Sequence, residues 1–564
     1  MKTIIIYPQC LDDRIQSEDA RVVPVGVYYV AALLKENEYD VEILNGYNFD
    51  RNLEQIREIL LEKNPDVIGF STVHANRWSA IEIARIAKQA NPEVRIVFGG
   101  AGATFLWEHL LTHFKEIDFA VIGEGEYTFL NLVKYFEKGD ENPETIRGIA
   151  FRKGDKIERT PDSEFIRDPD VLPVPAKYFT YQHVVLTRGC PWNCTFCGSP
   201  GFWKRKVRFH TPGYFTDQLE LLYKKGVAFF YFSDDTFTLK KERVIEVCRE
   251  ILKRGLDIRW AAISRADCVD EEALYWMRKA GCIQISYGVE SGSEKIRKLL
   301  NKKIETDQIR RAFSLTLEYG ILARAYFIYG CPGETEETVQ ETIDLIHEIR
   351  PLSIIFYILD IFPGTALYKD FKQRTGVADD IWLKQIEDIM YFETDSRLSQ
   401  EKILGFGRKL RTDYYENLHR FAEDIRLADK KEFYEMHSDF LSRLGMTFSH
   451  GDYARIEAIK EKDRVAEGLY RKSLTYHPDH RAYLGLGIIM QKKGAHKEAI
   501  QILSEGIRHF SHSEALNMCA GISYMNLEQY AEALACFQKC KNSGDAAQYI
   551  DICYKNIREK GVRK

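Results

Sequence analysis

The stretch HVVLTRGCPWNCTFCGSP, residues 183–200, decides how this chain is read. An apolar, β-rich run, HVVLT (183–187), leads directly into Cys190, Cys194 and Cys197, spaced CxxxCxxC. A turn at a strand end can fold three thiolates onto one face. Structural zinc sites take four ligands, commonly in CxxC pairs, and the sequence offers no partner pair. Three thiolates suit a 4Fe-4S cluster whose fourth iron is left open. The chain has 12 cysteines, far below the density of a disulfide scaffold, so a reducing, cytoplasmic compartment is expected.

Working toward the C-terminus, apolar runs recur at 229–233, 259–264, 284–289, 324–330 and 353–362, with helical patterns between them. With 183–187 they predict six parallel strands in a partial (βα)6 TIM-type barrel over 181–375, its active site at the strand carboxyl ends. Toward the N-terminus, short β-rich runs at 3–8, 41–45, 67–72, 95–99 and 119–123 alternate with helical patterns at 25–37, 53–63, 79–90 and 126–139. That spacing predicts an α/β, doubly wound Rossmann-like domain over 1–140. Residues 141–180, polar and rich in Asp and Pro, read as a linker with a small hairpin at GIAFRKGDKIERT.

Beyond 376 the pattern turns helical: an extension over 376–465, then repeats over 466–564. Gly487, Ala499, Ile500 and Leu503 recur 34 residues later as Gly521, Ala533, Leu534 and Phe537. This period marks tetratricopeptide-type helical hairpins, which bury their apolar faces by stacking. Hydrophobic residues are 45%, charged residues 29% and the net charge is −5, which excludes collagen-like and disordered classes and gives no basic excess for nucleic acid. No apolar run is long enough to span a membrane.

With these motifs in place, the chain resembles the radical S-adenosylmethionine (SAM) enzymes. Phe196, before the last cysteine, matches the aromatic that packs beside the SAM adenine in that family. Further pieces stand at successive strand ends: SDDTF (233–237), SRAD (264–267), GVESGSE (288–294), YGCPGET (329–335) and FPGTALY (362–368). The resemblance implies SAM contacts at Ser233, Asp234 and Asp235, in place of the family's Gly-Gly-Glu. It adds Arg265 at the carboxylate, Glu290 and Ser291 at the ribose or methionine end, and Gly330, Pro332 and Gly333 near the adenine. Cys331, at a strand end, is the one further thiol considered for catalysis; the other scattered cysteines read as small buried apolar residues.

An α/β domain ahead of such a barrel resembles the cobalamin-binding domain of one subgroup. PVGVYYVAALL (24–34), IGFSTVHANRW (68–78), GGAGAT (99–104) and GEGE (123–126) carry that likeness. It implies corrin contacts at Ser71, Thr72, Gly99, Gly100, Gly123 and Glu124. The Asp-x-His-x-x-Gly signature of a histidine lower ligand is absent, so cobalamin is expected without a histidine from this domain; His74 reads as a loop residue rather than a ligand.

The expected activity is a cobalamin-dependent radical methylation of an unactivated carbon. An oxidative cyclase or ring-rearranging enzyme of the same subgroup is the alternative, and a non-catalytic repeat scaffold with a vestigial barrel is the reading from another class. A tRNA methylthiotransferase ranks low, because its extra first-domain cysteines and basic tail are missing. The implied partners are a small-molecule or peptide substrate, a flavodoxin- or ferredoxin-type electron donor, and a protein on the helical repeats.

Overall fold

The protein is described from a computed structural model, covering residues 1–10, 21–49, 52–139, 142–384, 389–390, 397–540 and 544–562. The first sheet has strands β1 (Lys2–Tyr7), β2 (Asp40–Asn45), β3 (Val67–Ser71), β4 (Arg95–Gly99) and β5 (Phe119–Val121), parallel in the order β2-β1-β3-β4-β5. Helices α1 (Val25–Glu36), α2 (Leu53–Lys63), α3 (Arg77–Ala90), α4 (Gly100–His113) and α5 (Glu126–Lys138) connect and cover them. Side chains alternate across a strand, and here both faces are apolar. Ile4, Ile6, Ile68, Phe70, Ile96 and Phe98 enter one core with α2–α4. Ile5, Tyr7, Val67, Val97 and Val121 enter the other, with α1 and α5. A sheet covered on both sides explains why its strands read as unbroken apolar runs.

The segment after residue 140 does more than link. Strands β6 (Ile149–Lys153) and β7 (Lys156–Arg159) form the expected hairpin, and it extends the first sheet by antiparallel pairing of β6 on β5.

In the second sheet β8 (His183–Val184), β11 (Phe229–Phe232), β12 (Arg259–Ser264), β13 (Cys282–Glu290), β14 (Leu322–Tyr329) and β15 (Ser353–Ile358) are all parallel and lie in chain order. The first expected strand is shorter than HVVLT. After Val184 main-chain pairing with β11 gives way to side-chain bonds: the Asp234 carboxylate, just past the end of β11, accepts from the amides of Leu186 (3.0 Å) and Thr187 (2.5 Å) and from the Thr187 hydroxyl (2.7 Å). The chain then forms a short antiparallel ladder between β9 (Thr187–Arg188) and β10 (Arg208–Phe209), flanking the cysteine loop and helix α6 (Ser199–Trp203).

Helices α7 (Pro212–Lys224), α8 (Lys241–Lys253), α9 (Glu271–Lys279), α10 (Glu294–Leu299), α11 (Thr306–Glu318), α12 (Glu336–Ile349) and α13 (Ala366–Thr375) intervene between and after these strands. The rest is helical: α14 (Gln400–Glu423), α15 (Tyr434–Ser449), α16 (Lys462–Tyr476), α17 (His480–Lys492), α18 (His496–His509), α19 (Glu514–Asn526), α20 (Tyr530–Phe537) and α21 (Gly544–Val562). A Cβ on Gly487 would collide with Leu503, and one on Gly521 with Phe537. The same close helix contact thus recurs 34 residues later. No described helix is long and apolar enough to cross a membrane.

Candidate active site

The cysteine loop follows β9 and is pinned on both sides. The Thr195 amide donates to the Leu300 carbonyl (3.0 Å), the Leu367 amide to the Thr195 carbonyl (3.0 Å), and the Asn301 side-chain amide to the Asn193 carbonyl (2.6 Å). Cys190, Cys194 and Cys197 are free and half-buried. Burial raises all three thiols, Cys197 to about 12. Among the described residues no group of three or more His, Cys, Asp or Glu is placed to hold a metal ion; the three loop cysteines are the residues that would hold an iron–sulfur cluster. The donor set fits iron and sulfide: three soft ligands, with no acid or imidazole between Cys190 and Cys197 to compete.

The expected SAM contacts surround this loop. Ser233 and Asp235 line the cavity described below. The Ser199 hydroxyl donates to Asp235 (2.6 Å), tying the residue two places after Cys197 to the end of β11. Asp234 faces the other way, 1% exposed, and burial raises its carboxyl to about 7; its hydrogen bonds make it a bracket for the segment before the cysteines. Arg265 lies over the Trp192 ring at 4.0 Å, and its fork is taken up by Asp267 at 3.0 and 2.9 Å. Glu290 forms a buried ion pair with Lys302 (2.6 Å). Its φ of 67° and a register shift between Gly288 and Glu290 show a bulge at the end of β13, a device that re-aims a side chain at a site.

Phe196 packs half-buried against the core, and Ser291 bonds Thr342 at 3.3 Å. Gly330 and Gly333 have positive φ, with Cys331 and Pro332 between them. The Glu334 carboxylate accepts from the Gly330 amide (2.6 Å) and shapes that turn. Cys331 is fully buried with its Sγ toward the Ile328 carbonyl at 3.6 Å, and burial raises its thiol far above the usual range. This geometry gives Cys331 a packing place.

A cavity of about 700 Å³ lies where the carboxyl ends of the two sheets face each other. All six residues expected to meet a corrin, Ser71, Thr72, Gly99, Gly100, Gly123 and Glu124, line it. The cradle depends on absent side chains. A Cβ on Gly100, whose φ is 85°, would strike the Thr72 carbonyl, while one on Gly26 or Gly123 would meet nothing within 4 Å. The Thr72 hydroxyl is committed to the Gly99 carbonyl at 2.9 Å. Glu124 is also committed, to Arg188 (3.0 Å) and Arg208 (2.7 Å). His74 lines the same cavity but is engaged with the barrel side, stacked on Phe362 at 4.7 Å with Nε2 3.9 Å from the Asp360 carboxylate. Most of the loop after β1, where a Asp-x-His-x-x-Gly signature would stand, is at 11–20 and lies outside the described residues.

Comparison with known proteins agrees with this geometry. A sequence profile of the radical SAM superfamily matches residues 184–346, and one of the B12 binding domain matches 17–133. An uncharacterized methyltransferase of Pyrococcus horikoshii is 33% identical over 386 residues, covering 65% of this chain and 83% of that protein. The chain belongs to the cobalamin-binding radical SAM family. A second relative of this radical SAM protein is the anaerobic magnesium-protoporphyrin IX monomethyl ester cyclase of Rubrivivax gelatinosus, 31% identical over 63% of this chain and 67% of the cyclase. Its fold is shared with the methyltransferase TsrM from Kitasatospora setae, solved with cobalamin and a [4Fe-4S] cluster, at a TM-score of 0.59 and 16% identity over 84% and 99% of the two chains.

Several cavity residues of this radical SAM protein were not singled out from sequence. Tyr29, Thr187, Arg188, Ser199, Phe202 and Phe362 all line it. Arg188 and Ser199 lie within two residues of the cysteine motif, and that proximity was the available signal. Tyr29 and Phe362 carried none, since an aromatic in a helix or loop reads as packing.

Proposed function

We propose that this protein is a cobalamin-dependent radical SAM methyltransferase acting on an unactivated carbon. One observation carries the reading: the corrin-side glycines Gly99, Gly100 and Gly123 and the cluster-side Ser199, Ser233 and Asp235 line one undivided cavity. A methyl donor and a radical source must act on the same bound substrate, and proximity of the reacting groups supplies much of such catalysis. When bound, the corrin supplies a transferable methyl group, and the open iron–sulfur cluster with SAM supplies a hydrogen-abstracting radical.

The chain's part is to hold and shield these groups. Cys190, Cys194 and Cys197 would ligate iron. Ser233 and Asp235 after β11, and Glu290 at the end of β13, would orient SAM around the loop, with Arg265 held beside Trp192 by Asp267. Phe105, Phe202 and Phe362 line the cavity with aromatic surface, which favours exclusion of water. Two SAM molecules would be consumed per turnover, one as methyl source and one as radical source.

The test is anaerobic reconstitution with iron, sulfide and hydroxocobalamin, followed by measurement of bound corrin, 5′-deoxyadenosine and product mass. A product heavier by one methylene supports methylation. The cyclase relative from Rubrivivax favours a second reading, oxidative cyclisation, in which the product loses hydrogens instead. Retained corrin with no SAM cleavage would instead favour a scaffold role.

The helical end is read as tetratricopeptide-type repeats, supported by the glycine contact that returns after 34 residues. Its groove would take an extended peptide or a carrier protein. The substrate is accordingly a small molecule or a peptide. None of the 12 cysteines is in a disulfide, which suits a reducing cytoplasmic setting.

A further inference from the structure

The cluster chemistry needs one electron from outside the chain, and a run of basic residues lies beside the cysteine loop. The chain as a whole is acidic, at −5. The segment KRKVR (204–208) nevertheless carries Lys204, Arg205, Lys206 and Arg208 within five residues. Its end is β10, paired with β9 through Arg208↔Arg188. A Cβ on Gly189 would collide with the Lys206 carbonyl. The basic segment therefore lies directly on the backbone that enters Cys190. Lys204 and Arg205 turn it with φ of 49° and 58°, and the side chains of Lys204, Arg205 and Lys206 are exposed.

Arg147 and Arg167 come to the same place from the segment around β6 and β7. Arg147, Arg167, Lys204, Lys206 and Arg208 rim a recess of about 640 Å³ together with two carboxylates, Asp162 and Glu164. Asp162 is taken by Lys204 at 2.7 Å, and Arg208 is turned inward to Glu124. Arg147 donates to the Asp162 main-chain carbonyl (3.0 and 2.7 Å), and Lys206 rests on the Phe165 ring at 5.5 Å. Among the described residues no ion pair involves Arg147, Arg167, Arg205 or Lys206.

We propose that this basic face docks an acidic one-electron carrier protein of the flavodoxin or ferredoxin type, which reduces the cluster across the Gly189–Cys190 segment. The proposal rests on the iron–sulfur reading of the three cysteines. The carrier loses one electron, the oxidised cluster gains it, and no bond or proton moves. Charge complementarity selects the partner: exposed, unpaired cations steer an acidic surface and speed its encounter, and such steering weakens with salt. Contact at the cluster loop is also where a carrier has the shortest route for its electron.

The test compares two reductants on the reconstituted full chain, with 5′-deoxyadenosine as one readout and flavodoxin affinity by isothermal titration calorimetry, expected to weaken by at least about tenfold in the variant, as the other. One is a purified, reduced acidic flavodoxin, and the other is titanium(III) citrate, which needs no docking. The variant is Arg167→Glu with Lys206→Glu. The flavodoxin-driven rate is expected to fall by at least about tenfold at low salt, and the unsubstituted protein to lose flavodoxin-driven rate as salt rises. The titanium-driven rate should stay within about twofold. Equal loss with both reductants, or no loss with flavodoxin, overturns the proposal. Failure of the unsubstituted protein to release deoxyadenosine under titanium(III) citrate overturns the cluster reading, and this proposal with it.

Discussion

Arg188 donates to Glu126 at 2.6 Å across the boundary between the barrel and the cobalamin-binding domain, and both side chains are nearly closed to solvent, at 6% and 5% exposed. The same Nη1 reaches Glu124 at 3.0 Å, and the guanidinium stands over the Tyr29 ring at 4.7 Å. Arg188 precedes Gly189 and Cys190, while Glu124 and Glu126 belong to the wall of the cavity between the two sheets. One buried charge cluster thereby ties the position of that wall to the position of the cysteine loop.

Breaking this pair should be costly. Arg188→Met leaves Glu126 buried without its cation, and such losses run to about 3–5 kcal/mol. The expected outcome is a lower urea midpoint together with loss of both hydroxocobalamin and iron retention. Loss of one cofactor with full retention of the other would contradict the coupling.

The three loop cysteines should behave as a set, and Cys331 should not join them. Alanine at Cys190, Cys194 or Cys197 is expected to abolish cluster retention and to cut deoxyadenosine release by about 100-fold or more. Cys331→Ala removes a small buried side chain and should cost about 1 kcal/mol of stability with cluster content unchanged. Iron analysis and electron paramagnetic resonance distinguish the two cases.

Gly26 offers a way to close the corrin site without disturbing the fold. It lies in the first turn of α1, lines the cavity, and has nothing within 4 Å of its missing Cβ. Gly26→Phe should fill the space and lower hydroxocobalamin affinity by about tenfold or more, because a side chain then occupies the ligand's volume. Stability should hold or rise by about 0.5–1 kcal/mol as a helical glycine is replaced. Absorbance titration and thermal unfolding read the two effects separately.

Acid should weaken the junction between barrel and helical region. His437 is 0% exposed, donates from Nε2 to the Ala428 carbonyl (3.0 Å), and is held neutral by burial, with its pKa pushed down to about 4. An unfolded histidine titrates near 6.5, so between those values the unfolded chain takes up the extra proton. The contribution of His437 is complete above about pH 6.5 and is lost as pH falls toward 4, at up to about 1.4 kcal/mol per pH unit. His437→Gln should flatten that part of the dependence, measured as urea midpoints at pH 7 and pH 5. An unchanged slope would count against it.

Much of this was legible in the linear order of residues. Apolar periodicity, together with the spacing of Cys190, Cys194 and Cys197, determined two α/β units, a helical tail and the class of cofactor, because strand alternation and ligand spacing are local properties. Local pattern could not show that Asp234 holds the amides that follow β8, that a bulge redirects Glu290, or that Asp267 already occupies the Arg265 fork. It also could not show that Gly100 and Ser233 border one cavity, or that Glu124 meets Arg188 across 64 residues of chain. Those relationships arise only when the carboxyl ends of two sheets are packed face to face. The charges and glycines that matter at that junction are then chosen by neighbours in space, which lie far from them in sequence.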